Sequence, residues 1–330
     1  MTGSLGLAAR CSRRTGLQAP LLLGLILVGA MPTSGGAAPG LDRQLLEAAE
    51  FGNLVWVEAL VADGANVNAG SPVGKTPLMF AAQEGHVELA RWLLQRGADV
   101  HARTRDGCSV LSCAVCGRHV AVAELLLAHG ARVDVQNRAG RGVLHNAARV
   151  DDPELVDLLL RHGADPELRD HRQFTPMLAA AKSGSNRALA ALLARGADVG
   201  AVGKHGATGL MLAGYAGHAD CVETLLTAGA RPSQQDEDGA TALHWAAEQG
   251  QLQVIDRLLG GGAGVDQPNS VGWTALFEAA NAGRLGAVNA LIGAGARADL
   301  KDDLGLGPAD YARLGGHRDI VELLQRSATD

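Results

Sequence analysis

Gly64, Gly97, Gly130, Gly163, Gly196, Gly229, Gly262 and Gly295 stand 33 residues apart without a slip, and Ala follows each. Two more columns keep the same step. One is Ala48, Ala81, Ala114, Ala147, Ala180, Ala213, Ala246, Ala279 and Ala312; the other is Leu60, Leu93, Leu126, Leu159, Leu192, Leu225, Leu258, Leu291 and Leu324. A period of this length marks a stack of small units, each burying its apolar face against its neighbours. Composition agrees: 3% aromatic residues and 44 Gly suit thin, repetitive layers better than one large core.

The unit from Asp236 to Pro268 shows the local chemistry. Asp236-Glu237-Asp238-Gly239 is turn sequence. Thr241 is placed to cap a first helix through its hydroxyl. In other units Pro77 and Pro176 follow Thr76 and Thr175, at the first helical position, where a missing N–H costs nothing. Gly250 ends the first helix, a second runs to about Leu259, and Gly262 suits a left-handed residue just past a helix end.

The pattern resembles the ankyrin repeat, G-x-T-P-L-H-x-A-A-x-x-G-H with a terminal L-L-x-x-G-A. Gly74-Lys75-Thr76-Pro77-Leu78-Met79-Phe80-Ala81-Ala82-Gln83-Glu84-Gly85-His86 matches every specified place but one. The resemblance covers residues 41–330, with units near 41–70, 71–103, 104–136, 137–169, 170–202, 203–235, 236–268, 269–301 and 302–330. It implies an all-α solenoid of helix-turn-helix units, hairpin-like loops between them, a concave face, and no enzymatic activity or cofactor. The motif His survives only as His145 and His244; Met79, Ser112, Leu178, Met211 and Phe277 replace it. The fourth unit has Asp151-Asp152 where Gly-His belongs. A weaker middle is therefore expected, because stability in such a stack is a sum of unit and neighbour terms.

Residues 1–40 are a separate object. They hold no Asp or Glu, carry Arg10, Arg13 and Arg14, then an apolar run from Ala19 to Met31, then small residues. Basic, apolar, small is the order of an export signal. The run is too short to span a bilayer as a helix, which takes roughly 20 residues. Ser12-Arg13-Arg14 resembles a twin-arginine signal, although Gly16 stands where a large apolar residue is usual. Cleavage would follow Ala30 or Ala38, leaving a periplasmic or secreted protein. An uncleaved membrane anchor and an organelle transit peptide are the alternatives.

In the ankyrin family partners are gripped by loop tips and by the exposed face of the first helix. Carried over by register, the loop-tip set is Arg103, Arg105, Arg138, Arg141, Arg169, His171, Arg172, Phe174, Lys204 and His205; the first-helix set adds Arg149, Lys182 and Tyr215. Nine Lys or Arg fall on this strip although the net charge is −6. Beyond it the sign reverses at Glu237, Asp238 and Glu248, and Trp273 follows at an exposed loop position. A like-charged strip is most easily understood if an anionic partner lies on it. The expected function is thus a monomeric, non-catalytic scaffold for an acidic protein surface. The plain alternative is a solvated charged face, and Phe174 and Trp273 read equally well as loop packing. A polyanion or nucleic-acid ligand is disfavoured by the net charge and the scarcity of stacking rings. Reversing Arg141 and Arg172 is expected to leave folding nearly unchanged.

A third reading, a thiol or metal protein, rests on Cys113-Ala114-Val115-Cys116 with His119 and Cys108 nearby. Register argues against it: Cys113 shares a column with Phe80 and Trp245, Cys116 shares one with Gln83, and His119 stands in the ordinary Gly-His place beside His86 and His218. No metal is expected.

Overall fold

The computed structural model describes residues 40–327; the leader and its proposed cleavage sites lie outside these residues, apart from Gly40. Among the described residues there are 18 α-helices and no named strand. The first helices of the nine units are α1 (Leu41–Glu50), α3 (Pro77–Glu84), α5 (Val110–Gly117), α7 (Val143–Arg149), α9 (Pro176–Ser183), α11 (Gly209–Ala216), α13 (Ala242–Gln249), α15 (Ala275–Asn281) and α17 (Pro308–Leu314). The second helices are α2 (Leu54–Ala62), α4 (Val87–Gln95), α6 (Val120–Ala128), α8 (Pro153–Arg161), α10 (Asn186–Ala194), α12 (Ala219–Thr227), α14 (Leu252–Gly260), α16 (Leu285–Gly293) and α18 (Arg318–Ser327). Each first helix packs on its own second helix and on the first helix of the next unit. The result is two parallel rows of helices.

The sequence columns are the core. All nine residues of the Ala column are fully buried, and the Leu column is buried throughout, from Leu60 to Leu324. The Gly column has another cause. Gly64, Gly97 and their equivalents take φ near +90°, with nothing within 4 Å of an added Cβ, so left-handed backbone rather than crowding selects glycine.

Caps follow two schemes. Thr76, Ser109, Thr175 and Thr208 each accept the N–H three residues on, satisfying a donor that the helix leaves open. Thr241 does not. The Nδ1 of His244 accepts its backbone N–H at 3.1 Å, and the Nε2 of the same ring bonds the Trp273 carbonyl of the next unit at 2.9 Å. His145 does the same between the Gly142 N–H and the Phe174 carbonyl. The hydroxyl cap expected at Thr241 is not formed: its Oγ1 lies 2.9 Å from the His244 Nδ1, and the motif histidine accepts the N–H of the cap residue itself rather than an open donor of the helix. Where Phe277 replaces it, the buried Thr274 hydroxyl has no partner among the described residues.

The fourth unit compensates for its departures. Asp151 takes φ +56° in place of glycine, and its carboxylate accepts the Ala188 N–H; Asp152 caps α8 through Glu154 and Leu155. In the third unit Arg118, not Gly117, occupies the left-handed position, at φ +65°.

Candidate functional site: the loop-tip and first-helix face

Loop tips are stitched together by backbone. The N–H groups of Arg105, Arg138 and His171 donate to the carbonyls of Val73, Asp106 and Ala139, and those of Glu237, Ser270 and Asp303 continue the series to His205, Asp238 and Val271. Most of these turns are braced by a side-chain oxygen. Asn137, Asp170, Asp236, Asn269 and Asp302 each accept two backbone N–H groups two and four residues on. Gly203 has no such oxygen. A Cβ there would lie 2.8 Å from the Phe174 ring, and the adjoining turns hold Gln173 and His205 at φ +62° and +59°. No backbone rung joins these two loops among the described residues.

The predicted cations separate into two kinds. Arg103 reaches the carbonyls of Gly107 and Gln136, and Arg169 those of Gln173 and Val202, the latter at 2.6 Å. These guanidiniums tie one unit to the next. Arg141 lies 3.4 Å from the carboxylate of Asp170, whose side chain is 5% exposed. The expectation that Arg141 is a free surface charge is corrected: it compensates a buried acid. By contrast Arg105, Arg138, Arg149, Arg172 and Lys204 are exposed, and none is paired with an acid among the described residues. His171 is likewise exposed at its loop tip.

Around Asp170 several predicted residues come together. Lys182 sits 5.1 Å from the centre of the half-buried Phe174 ring. Burial holds the Lys182 ammonium below the usual lysine range; repulsion from Arg172 and Arg141 adds to this, and Asp170 opposes it. Phe174 is thus loop packing with an ammonium over its face. Arg149, Lys182 and Tyr215 follow one another along the rows of α7, α9 and α11, all exposed. The strip ends at His205, whose Nδ1 is 3.0 Å from the Glu237 carboxylate.

Trp273 is not an exposed loop residue. It is half-buried, packs 4.5 Å from Tyr311 and 6.0 Å from Phe277, and donates its indole N–H to Asp302. Asp170 was missed by sequence reasoning, although it stands in the turn column with Asn137, Asp236 and Asp302. Cys113 is buried and Cys116 half-buried, while the His119 ring covers Gly85 of the preceding unit. No group of three or more His, Cys, Asp or Glu residues is arranged for a metal among the described residues.

This geometry, a buried small-residue column and loops stitched at a constant step, is matched by comparison with protein-family models. The model described as ankyrin repeats (3 copies) matches residues 45–137, 144–236, 178–269, 210–302 and 243–330. The chain belongs to the ankyrin-repeat family. Ankyrin repeats generally mediate protein–protein interaction, and the family is typically non-catalytic. A search of curated proteins gave no match.

Proposed function

We propose that this ankyrin-repeat protein is a non-catalytic scaffold that binds an acidic protein surface through its middle units. The supporting observation is the set of unpaired, exposed cations Arg105, Arg138, Arg149, Arg172 and Lys204 on one face of a chain of net charge −6. Their mutual repulsion is relieved when an anionic surface covers them. Lys182 over Phe174 adds a point where a carboxylate would meet a partly desolvated ammonium. The leader's basic-apolar-small order supports export of the mature chain.

The test is capture with the full repeat array, comparing wild type with Arg138→Glu/Arg172→Glu. Acidic proteins retained by wild type should be lost by the variant. Affinity for the captured partner should fall as salt rises, because screening shortens to about 8 Å at physiological ionic strength. Equal retention by both proteins would place the binding site elsewhere. Preference for a single-stranded oligonucleotide over an acidic peptide would favour the polyanion reading.

A further inference from the structure

The other half of the same face carries the opposite chemistry. One column of the first helices runs Phe80, Cys113, Asn146, Ala179, Leu212, Trp245, Glu278 and Tyr311. The same column holds one other acid, Glu47 of the first helix, which is exposed; Glu278 is the one acid of the column that is half-buried. It lies between Trp245 of α13 and Tyr311 of α17 and is half-buried.

The donors that would normally satisfy such a carboxylate are committed elsewhere. The Trp245 indole N–H donates to Asp236 at 2.9 Å, and the Tyr311 hydroxyl donates to Asp302 at 2.5 Å. Arg284, at the start of α16, donates to the backbone carbonyl of Glu248. Lys301 and Arg313 are held by Asp310. No hydrogen bond or ion pair reaches the Glu278 carboxylate among the described residues, and the charge that acts on it is the like charge of Glu248.

The two preceding first helices, α11 and α13, carry aromatic rings on the same face as this acid. Tyr215 is 48% exposed and stands edge-on to Trp245, with ring centres 5.9 Å apart at 76°. Aromatic rings beside a carboxylate form an environment that attracts a cation twice, through the ring quadrupole and through charge. Burying an acid without a partner is unfavourable. A partner's ammonium or guanidinium would remove that penalty and relieve the Glu248–Glu278 repulsion.

We infer that Tyr215, Trp245, Glu248 and Glu278 form a second docking surface, which takes a lysine or arginine side chain from a basic peptide segment. Charge complementarity selects the occupant: the free cations of this face lie in the middle units, and the carboxylates of this patch lie beyond the His205–Glu237 pair. The inference is independent of the acidic-partner reading, which rests on the cations of the middle units; Tyr215, first placed by register with that strip, stands at the border between the two and is assigned to the second surface.

The experiment is calorimetric titration of the full chain with an arginine-rich octapeptide. Glu278→Gln should weaken binding at least tenfold, and Tyr215→Ala by several-fold. Tyr215 is exposed, so its removal leaves the fold intact. Glu322→Gln, on the distant α18, changes net charge equally and should leave affinity within twofold. Arg138→Glu/Arg172→Glu should not weaken it. Equal losses in Glu278→Gln and Glu322→Gln would show general electrostatic attraction and overturn the site. Calcium or spermine binding as tightly as the peptide, with the same loss in Glu278→Gln, would overturn the peptide assignment.

Discussion

Two buried threonines in equivalent places show how a side chain's worth depends on its partner. Thr175 caps α9 through the Leu178 N–H, whereas the Thr274 hydroxyl is buried without a partner. Thr175→Val should cost about 1 kcal/mol, a usual value for a lost cap. Thr274→Val should be neutral or stabilising, since it removes an unsatisfied polar group of nearly the same shape. Urea denaturation of the two variants checks this; equal losses would contradict it. His145 and His244 carry a pH consequence. Burial, the largest cause, holds both imidazoles below the usual histidine range of 6.5, and their carbonyl bonds only partly offset it. The folded state therefore resists protons that the unfolded chain accepts below about pH 6.5, so stability should fall as pH drops through that point. Glu278, pushed up to about 7 by burial and Glu248, works in the opposite sense. The cleaner measurement is thus a denaturation series between pH 7.5 and 5.5 in a Glu278→Gln background, beside a nuclear magnetic resonance titration of the two rings. Imidazole midpoints above the ordinary value would refute it.

Within a repeat, the loop and its first helix decide which charges are available. Arg141 and Arg172 look alike in sequence, two loop-tip arginines one repeat apart. Arg172 is exposed, while Arg141 is 30% exposed against the buried Asp170. Arg172→Glu should shift stability by within roughly 0.5 kcal/mol, as surface changes usually do. Arg141→Glu leaves Asp170 uncompensated and adds a second acid beside it. A loss on the order of 1–3 kcal/mol is expected, less than for a fully buried pair because the guanidinium keeps some contact with water. Thermal melts of both variants separate the two roles. The paired loops around Gly203 follow the same logic. There the turn oxygen is absent, Phe174 fills the space, and Arg169 carries the connection to the next repeat through the Val202 carbonyl.

Across the whole molecule, stability is additive along the stack while charge is not uniform. Leu159 is fully buried between neighbouring layers in the fourth repeat. Leu159→Ala should cost on the order of 2–5 kcal/mol, the transfer loss plus the cavity left behind. The face that carries the cations is untouched, so acidic-partner affinity of the folded fraction should stay unchanged. A melt and a binding titration on one preparation would show both; loss of affinity at full folding would contradict the separation of core from face. The net charge of −6 conceals a division of this face. Cations occupy the middle repeats, and carboxylates with aromatic rings occupy the later ones. A solenoid permits this because each repeat contacts only its neighbours, so distant segments of one surface need share no chemistry.

The 33-residue step determined the fold on its own. A constant period fixes the direction of each Cβ, and with it the burial of the Ala and Leu columns and the left-handed place of each Gly. The same register placed the candidate cations on loop tips and first helices. It did not reveal which guanidiniums were free. That choice lies at the far end of a long side chain, where Arg103 finds the Gln136 carbonyl and Arg141 finds Asp170 in the next repeat. It did not reveal that His244 links the Thr241 N–H to the Trp273 carbonyl of the next repeat, or that Trp273 packs on Tyr311. Nor did it show that Glu278 is left without a partner once Trp245 and Tyr311 turn to the loop aspartates. Backbone direction is a local, repeating property that a sequence column records. The partner of a side-chain tip depends on the particular residues one repeat away, which only the stacked structure brings within reach.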